Sequence, residues 1–343
     1  MSKPSARAEA GRSAEAAAEA LAPPPALTGQ PGAPAELTII IISYNTKALT
    51  LKCLETVFAE TRQARAHIVV LDNASPDGSA EAIAAAYPQV ELIASQENLG
   101  FAGGNNLVAA QARTEWLLLL NPDTEVHAGA IDALLAFARA HPEAGITGGR
   151  TVFPDGSLNP LSCLDRITPW SAFCMATGLT ALFRGSTLFN PENFGNWPRD
   201  TERQVDIVVG CFLMIPRRLW QELGGFDLKY FMYGEEADLC LRAAAKGYRP
   251  MVTPSAQIMH LVGAASGKPA HKTAMVAKGR VTLIRDHWRR EMVPFGVAMM
   301  WLWGALRVFA ARARALSGRP RHREAAERWS SVWQARRDWL RGY

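Results

Sequence analysis

Five large apolar residues, Trp116 to Leu120, run without a polar break and stop at Asn121-Pro122-Asp123. A short apolar run bounded by a turn signal is a strand buried on both faces, as in a parallel sheet with helices above and below. Pro122 cannot donate to a ladder and biases Asn121 away from helix, so the strand ends there. An acidic residue just past the carboxyl end of such a strand stands where open α/β sheets bind ligands. Asp123 is therefore a candidate for holding a metal or polar substrate. The plainer alternative is a turn aspartate that caps the next helix.

Three further strands are expected upstream. Leu37–Ile42 ends at Ser43-Tyr44-Asn45, His67–Leu71 at Asp72-Asn73, and Val90–Ala94 runs into Asn98-Leu-Gly-Phe-Ala-Gly-Gly-Asn-Asn106. Helical stretches lie between and after them, at about 49–60, at 80–86 with Ser79 as N-cap, up to about 112, and at 128–140. This alternation predicts an α/β fold with a mostly parallel sheet flanked by helices. The polar loops after the strands then converge on one rim. The glycine-rich loop 98–106 would let backbone approach a phosphate or sugar. It is not Gly-x-Gly-x-x-Gly, which argues against dinucleotide binding.

The middle of the chain, about 149–203, has few clear periods and reads as loops and short strands. A strand-like piece, 206–216, is broken by Gly210, and a helix over 217–223 stops at Gly224-Gly225. An aromatic loop then enters a helix whose first turn holds Glu235, Glu236 and Asp238. The helix dipole alone favours carboxylates there, and Asp238 with Arg242 fits an ordinary i,i+4 pair. Glu235 and Glu236 are adjacent and so point about 100° apart, so at most one is expected to face the rim. A carboxylate held there could take a proton from a hydroxyl. His260 closes a strand-like piece from Ser255; a lone histidine in that setting is more often an ordinary core group than a ligand.

The net charge of +5 is unevenly placed: the last 59 residues carry 13 arginines against five acids, leaving everything earlier at −3. Six of the ten tryptophans share that end. From about 278 the chain reads as helices with Trp and Leu on one face and Arg on another, lying on an anionic membrane surface, with 293–311 dipping into the headgroups. The alternative is that they dock on the core or on a second subunit as a homo-oligomer. No nucleic-acid-binding module accompanies the arginines, so that partner is not expected. No stretch has the roughly 18–20 uninterrupted apolar residues of a transmembrane helix. Residues 1–35, rich in Ala, Pro, Gly and Ser, read as a disordered tail with transient helix at 14–21 and no secretory h-region. Five cysteines without Cys-x-x-Cys spacing suggest buried thiols in a reducing compartment.

Five separated motifs, Thr38–Asn45, Val70–Ser75, Asn98–Asn106, Leu119–Asp123 and Tyr233–Arg242, together resemble a family-2 glycosyltransferase of the bacterial rhamnosyltransferase-like branch that builds cell-surface polysaccharide. The resemblance covers about 37–265. It implies a GT-A domain over 36–265, preceded by the tail and followed by a helical extension over 266–343. It also implies a nucleotide-diphosphate sugar donor, Mg²⁺ or Mn²⁺, a glycan or lipid-linked acceptor and inversion by one displacement. The setting would be cytoplasmic, peripheral on the inner face of the cell membrane. Carried over by position, Ser43, Tyr44, Asn45, Asp72, Asn73, Asn98, Gly103, Asn105, Asn121 and Asp123 would hold the nucleotide sugar, with Asp72 on the pyrimidine base. Asp123 would bind the metal with His260, and Asn121 stands where the family's first aspartate would be. Glu236 would be the base, with Glu235 the runner-up, and Gly210, Tyr233, Glu235 and Asp238 would face the acceptor. Asn121 and the Glu-Glu pair leave one alternative: a catalytically silent subunit that binds nucleotide sugar in an assembly role.

Overall fold

The computed structural model describes residues 23–261 and 269–343. Strands β1 (Leu37–Ser43), β2 (Ala66–Asp72) and β3 (Glu91–Ala94) alternate with helices α1 (Lys47–Glu60), α2 (Ser79–Ala86) and α3 (Gly100–Gln111). Next come β4 (Trp116–Leu120), the short β5 (Thr124–Val126), α4 (Ala130–Ala140), β6 (Thr147–Val152) and α5 (Pro169–Thr177). They are followed by β7 (Phe212–Pro216), α6 (Arg217–Leu223), α7 (Glu235–Ala245) and the long β8 (Met251–His260). Four helices complete the chain: α8 (Pro269–His287), α9 (Val293–Ala315), α10 (Pro320–Gln334) and α11 (Arg336–Arg341).

The main sheet runs β3-β2-β1-β4-β7-β6-β8-β5. Strands β1 to β4 pair in parallel, as do β6 and β8, while β7 runs antiparallel between β4 and β6. The sheet is thus mostly parallel, as expected. β4 is buried along its whole length because alternate residues serve two cores. Leu118 and Leu120 pack with Leu54 of α1 and Leu134 of α4. Leu117 and Leu119 pack with Val108 of α3, Trp220 of α6 and Leu239 of α7. Chain order reverses between β1 and β4, and their register sets Ile41 beside Leu120. A crevice opens at such a reversal.

Three local expectations change. Residues 23–35 are folded: Leu27 N–H donates to Ala66 O at 2.7 Å, and Ala26, Thr28 and Ala35 are buried against the start of β2. The expected tail therefore stops short of 23, while 1–22, with the helix at 14–21, and the 265/266 boundary lie outside the described residues. The glycine loop 98–106 is mostly helix, since α3 starts at Gly100; the glycines serve close packing instead. A Cβ on Gly104 would press on Ile42, and one on Gly100, where φ is +70°, would meet Phe231. At α2 the turn belongs to Asp77, whose carboxylate accepts from Ser79 N–H at 3.1 Å, and Ser79 is already inside the helix.

The tryptophans expected on a membrane mostly fasten the extension together. Trp339 is fully buried and its indole donates to Val332 O. Trp303 meets Trp329 and Trp339 edge-on at 5.2 and 6.1 Å, and Trp288 donates to Ile167 O. All five cysteines are buried free thiols.

Candidate active site

A cleft of about 440 Å³ lies at the carboxyl ends of β1 and β4, closed on the far side by the start of α7 and by α8. Asn121, Pro122, Asp123 and His260 form one part of its wall, and Ile42, Tyr44, Asn73 and Asn98 another. Opposite stand Gly210, Tyr233, Glu235 and Glu236. The remaining wall is largely apolar, with Leu161, Leu164, Ile167, Val276 and Leu283 around Lys272 and Arg280.

The turn after β4 is pinned on every side. Asn121 N–H donates to Cys211 O at 3.1 Å, Thr124 Oγ1 donates to Asn121 O at 2.7 Å, and Leu261 N–H donates to Asp123 O at 3.0 Å. β8 pairs with β5 so that His260 faces Thr124, which returns the imidazole to Asp123. His260 Nε2 lies 3.2 Å from Asp123 Oδ1, and the Asn121 amide nitrogen lies 3.4 Å from His260 Nε2. Burial works against charge on His260, but Cys211 and Asp123 beside it outweigh that and push it up to about 10. Its Nδ1 is buried without a hydrogen-bond partner among the described residues.

This donor set suits a divalent ion that also binds substrate. Among the described residues no three His, Cys, Asp or Glu side chains gather closely enough to hold a metal alone. One carboxylate, one imidazole and an amide oxygen fit an ion whose other positions come from phosphate oxygens and water, as is common for Mg²⁺.

Glu235 and Glu236 open α7 behind a tight turn, with φ of +70° at Tyr233 and +117° at Gly234. Both line the cleft, where one was expected, because no preceding turn covers either residue at the start of a helix. Each has a buried Oε2 without a partner among the described residues. Burial pushes both carboxyls up, and Glu235 well up because the charge of Glu236 adds to it. The two charges repel one another, so the pair loses its protons in two separate steps. Gly210 permits the close approach: a Cβ there would sit 3.1 Å from the Phe101 ring and 3.8 Å from Glu236 Cβ.

Of the other expected residues, all but Asn73 stand outside the cleft wall. Asp238 turns away from the acceptor side, accepting from Arg242 Nε at 2.7 Å and lying 2.9 Å from His287 Nε2. Asp72 is buried; its Oδ2 accepts from Ser75 N–H, while Oδ1 is without a partner among the described residues. Ser43 is tied up with Thr46 and Thr50. Asn45 is exposed with φ of +54°. Gly103 and Asn105 lie on α3, where Asn105 donates to Phe101 O. Asn73 braces the next loop, accepting from Leu99 N–H and donating to Gly100 O.

Several cleft residues escape the sequence reading. Arg280 makes a two-pronged pair with Glu192 at 2.8 Å on each prong. Asp165 is pushed up to about 6 by burial and by the charge of Asp206. The acidic turn is also held from behind. Tyr230 donates to Asp286, Tyr343 Oη donates to Met232 O at 2.6 Å, and Gly279 lets α8 touch the Tyr233 carbonyl. These partners lie 46 to 111 residues apart in the chain, and no local pattern announces them.

The profile of Glycosyl transferase family 2 matches residues 38–216, more than half of the chain, and the chain belongs to that family. The N-acetylglucosaminyl-diphospho-decaprenol L-rhamnosyltransferase of Mycobacterium tuberculosis is 30% identical over 254 residues, spanning 66% of this chain and 78% of that protein. A mannosyltransferase from Pyrobaculum calidifontis, solved in complex with GDP-Man and Mn²⁺, superposes with a TM-score of 0.55 over 92% of this chain and 90% of its own, at 18% identity. GalNAc-T7, solved with UDP, GalNAc and Mn²⁺, gives 0.52 over 75% and 48%, at 16% identity. The fold is the GT-A type that the motifs imply, and the protein is a glycosyltransferase similar to a rhamnosyltransferase.

Proposed function

We propose that this enzyme moves a sugar, with rhamnose the leading candidate, from a nucleotide-diphosphate donor to a hydroxyl of a glycan or lipid-linked acceptor, with inversion. The observation that carries this reading is the pairing, in one cleft, of Asp123 and His260 with the buried acidic turn of Glu235 and Glu236. Glu236 takes the proton from the acceptor hydroxyl as its oxygen bonds to the anomeric carbon, while the bond to the diphosphate breaks on the opposite face. Asp123 and His260, with Asn121 as a neutral neighbour, would hold Mg²⁺ or Mn²⁺, which supplies Lewis-acid neutralisation of the departing diphosphate. Asp72, whose Oδ1 is without a partner among the described residues, is assigned to the pyrimidine base, and the chain around Ile42 and Ser43 flanks that base. Asn73 acts by holding the 98–100 turn.

The apolar wall supports an acceptor carried on hydrocarbon, as the name of the mycobacterial relative also suggests. Such an acceptor would bring the reaction to the cytoplasmic face of the membrane. The alternative, a silent nucleotide-sugar-binding subunit, predicts binding without turnover. Thermal shift against a panel of nucleotide sugars with Mn²⁺ finds the donor, and release of nucleoside diphosphate from that donor separates the two readings.

A further inference from the structure

By length and composition, Arg290–Ala315 is long and apolar enough to cross a membrane, yet less than a quarter of that stretch is buried by the rest of the chain. The helix is two-sided. Gly296, Met300, Gly304, Val308 and Ala311 are buried, with Trp288 against Gly296 and Trp339 against Gly304. Arg307 turns toward the protein as well: it donates to Met175 O at 3.0 Å, and burial lowers it to about 10. On the opposite side Phe295, Leu306, Phe309 and Leu316 are exposed, Phe309 at 73% and Leu316 at 89%. At 100° per residue these four fall within an arc of about 80°. Leu182 and Phe183, a few residues beyond α5, are exposed too, and α5 itself packs on α9.

A span crossing the bilayer would have to tear Arg307 and the glycine face away from the protein. A helix lying in the interface leaves both in place and buries only the stripe. Charge decides the occupant. Arg289, Arg290, Arg312, Arg314, Arg319 and Arg321 are exposed around the ends of the stripe, and none is ion-paired among the described residues. A second copy would bring the same cations against these, whereas an anionic leaflet complements them.

We infer that the outer face of α9, from Phe295 to Leu316, is the surface on which this protein docks to an anionic lipid leaflet, with α9 lying in the plane of the headgroups. The inference goes beyond the transfer reaction and does not depend on which carboxylate is the base. Ile167, which lines the cleft, packs with Val293 and Val297 on the inner face of the same helix.

The test is co-sedimentation of the full chain with vesicles of phosphatidylcholine alone and of phosphatidylcholine with phosphatidylglycerol. The full chain binds the anionic vesicles at least about tenfold more tightly, and more weakly as salt rises. The double variant Leu306→Glu/Phe309→Glu keeps the circular dichroism spectrum and melting temperature and loses at least about tenfold in binding. Arg312→Glu/Arg314→Glu weakens binding to the anionic vesicles only. Three results overturn the inference: no binding to either vesicle, binding indifferent to both variants, or a dimer in solution that Leu306→Glu/Phe309→Glu converts to monomer. All readouts are independent of turnover, so failure here is distinct from failure of the catalytic reading.

Discussion

At the scale of single residues, the site is governed by which buried groups carry charge. Glu235 and Glu236 are held where water cannot fully solvate them, so the folded chain binds their protons more tightly than the unfolded chain does. Their burial is therefore most favourable at low pH, and that stability is lost as pH rises through the raised values. Glu235→Gln should raise the melting temperature at pH 8, with the difference from the wild type vanishing toward pH 4; melts across that range check this. The same burial places the acid limb of kcat/KM above the ordinary glutamate value of 4.5, since Glu236 must be ionised to act. Asp123→Asn should weaken donor binding in Mn²⁺ at least about tenfold by calorimetry. Asp123 and Glu236 were legible in the sequence through the motifs they end or begin. The Asp123–His260 contact was implied only by the resemblance, because it depends on β8 pairing with β5 after more than a hundred intervening residues.

At the scale of elements, the apolar run 116–120 carried most of the information about the fold. Its lack of alternation demanded two covered faces, and β4 has them. Glycine misled at α3, where the residues that would suit a phosphate loop instead let a helix lie close to Ile42. Proline and alanine misled at 23–35, because a segment without regular pattern can still be anchored by backbone hydrogen bonds to β2. The most consequential element contact is between α8 and the acidic turn. A methyl group on Gly279 would collide with the Tyr233 carbonyl and push the turn that presents Glu235 and Glu236. Gly279→Ala should therefore lower kcat roughly ten- to a hundredfold while donor KM changes little, because a small displacement of the base is costly. Tyr343→Phe, which removes only the hydroxyl bond to Met232 O, should cost about 1 kcal/mol of stability and shift kcat less. Steady-state kinetics with the donor varied at saturating acceptor check both.

At the scale of the whole molecule, two parts of different character meet at the cleft. In the proposed reaction the sheet carries Asp123 toward the metal and the donor diphosphate, while α7 carries the base and the C-terminal helices complete the apolar wall. Composition revealed that the C-terminal end was basic and rich in tryptophan, but not which way the rings point. Trp288 and Trp339 turn inward, where indoles satisfy both packing and an N–H donor, while Trp301 stays exposed with Phe309 and Leu316. Because the protein supplies only part of a coordination shell, metal and donor should bind together: Mn²⁺ or nucleoside diphosphate alone should shift the melting temperature little, and the pair by more than the sum.

The central claim is that Glu236 is the base facing a donor held independently by Asp123. The direct test is transfer and donor affinity measured side by side on Glu236→Gln in Mn²⁺. The account predicts that transfer falls at least about a hundredfold while donor affinity stays within about twofold of the wild type. Undiminished transfer by Glu236→Gln, with donor bound as before, would contradict it.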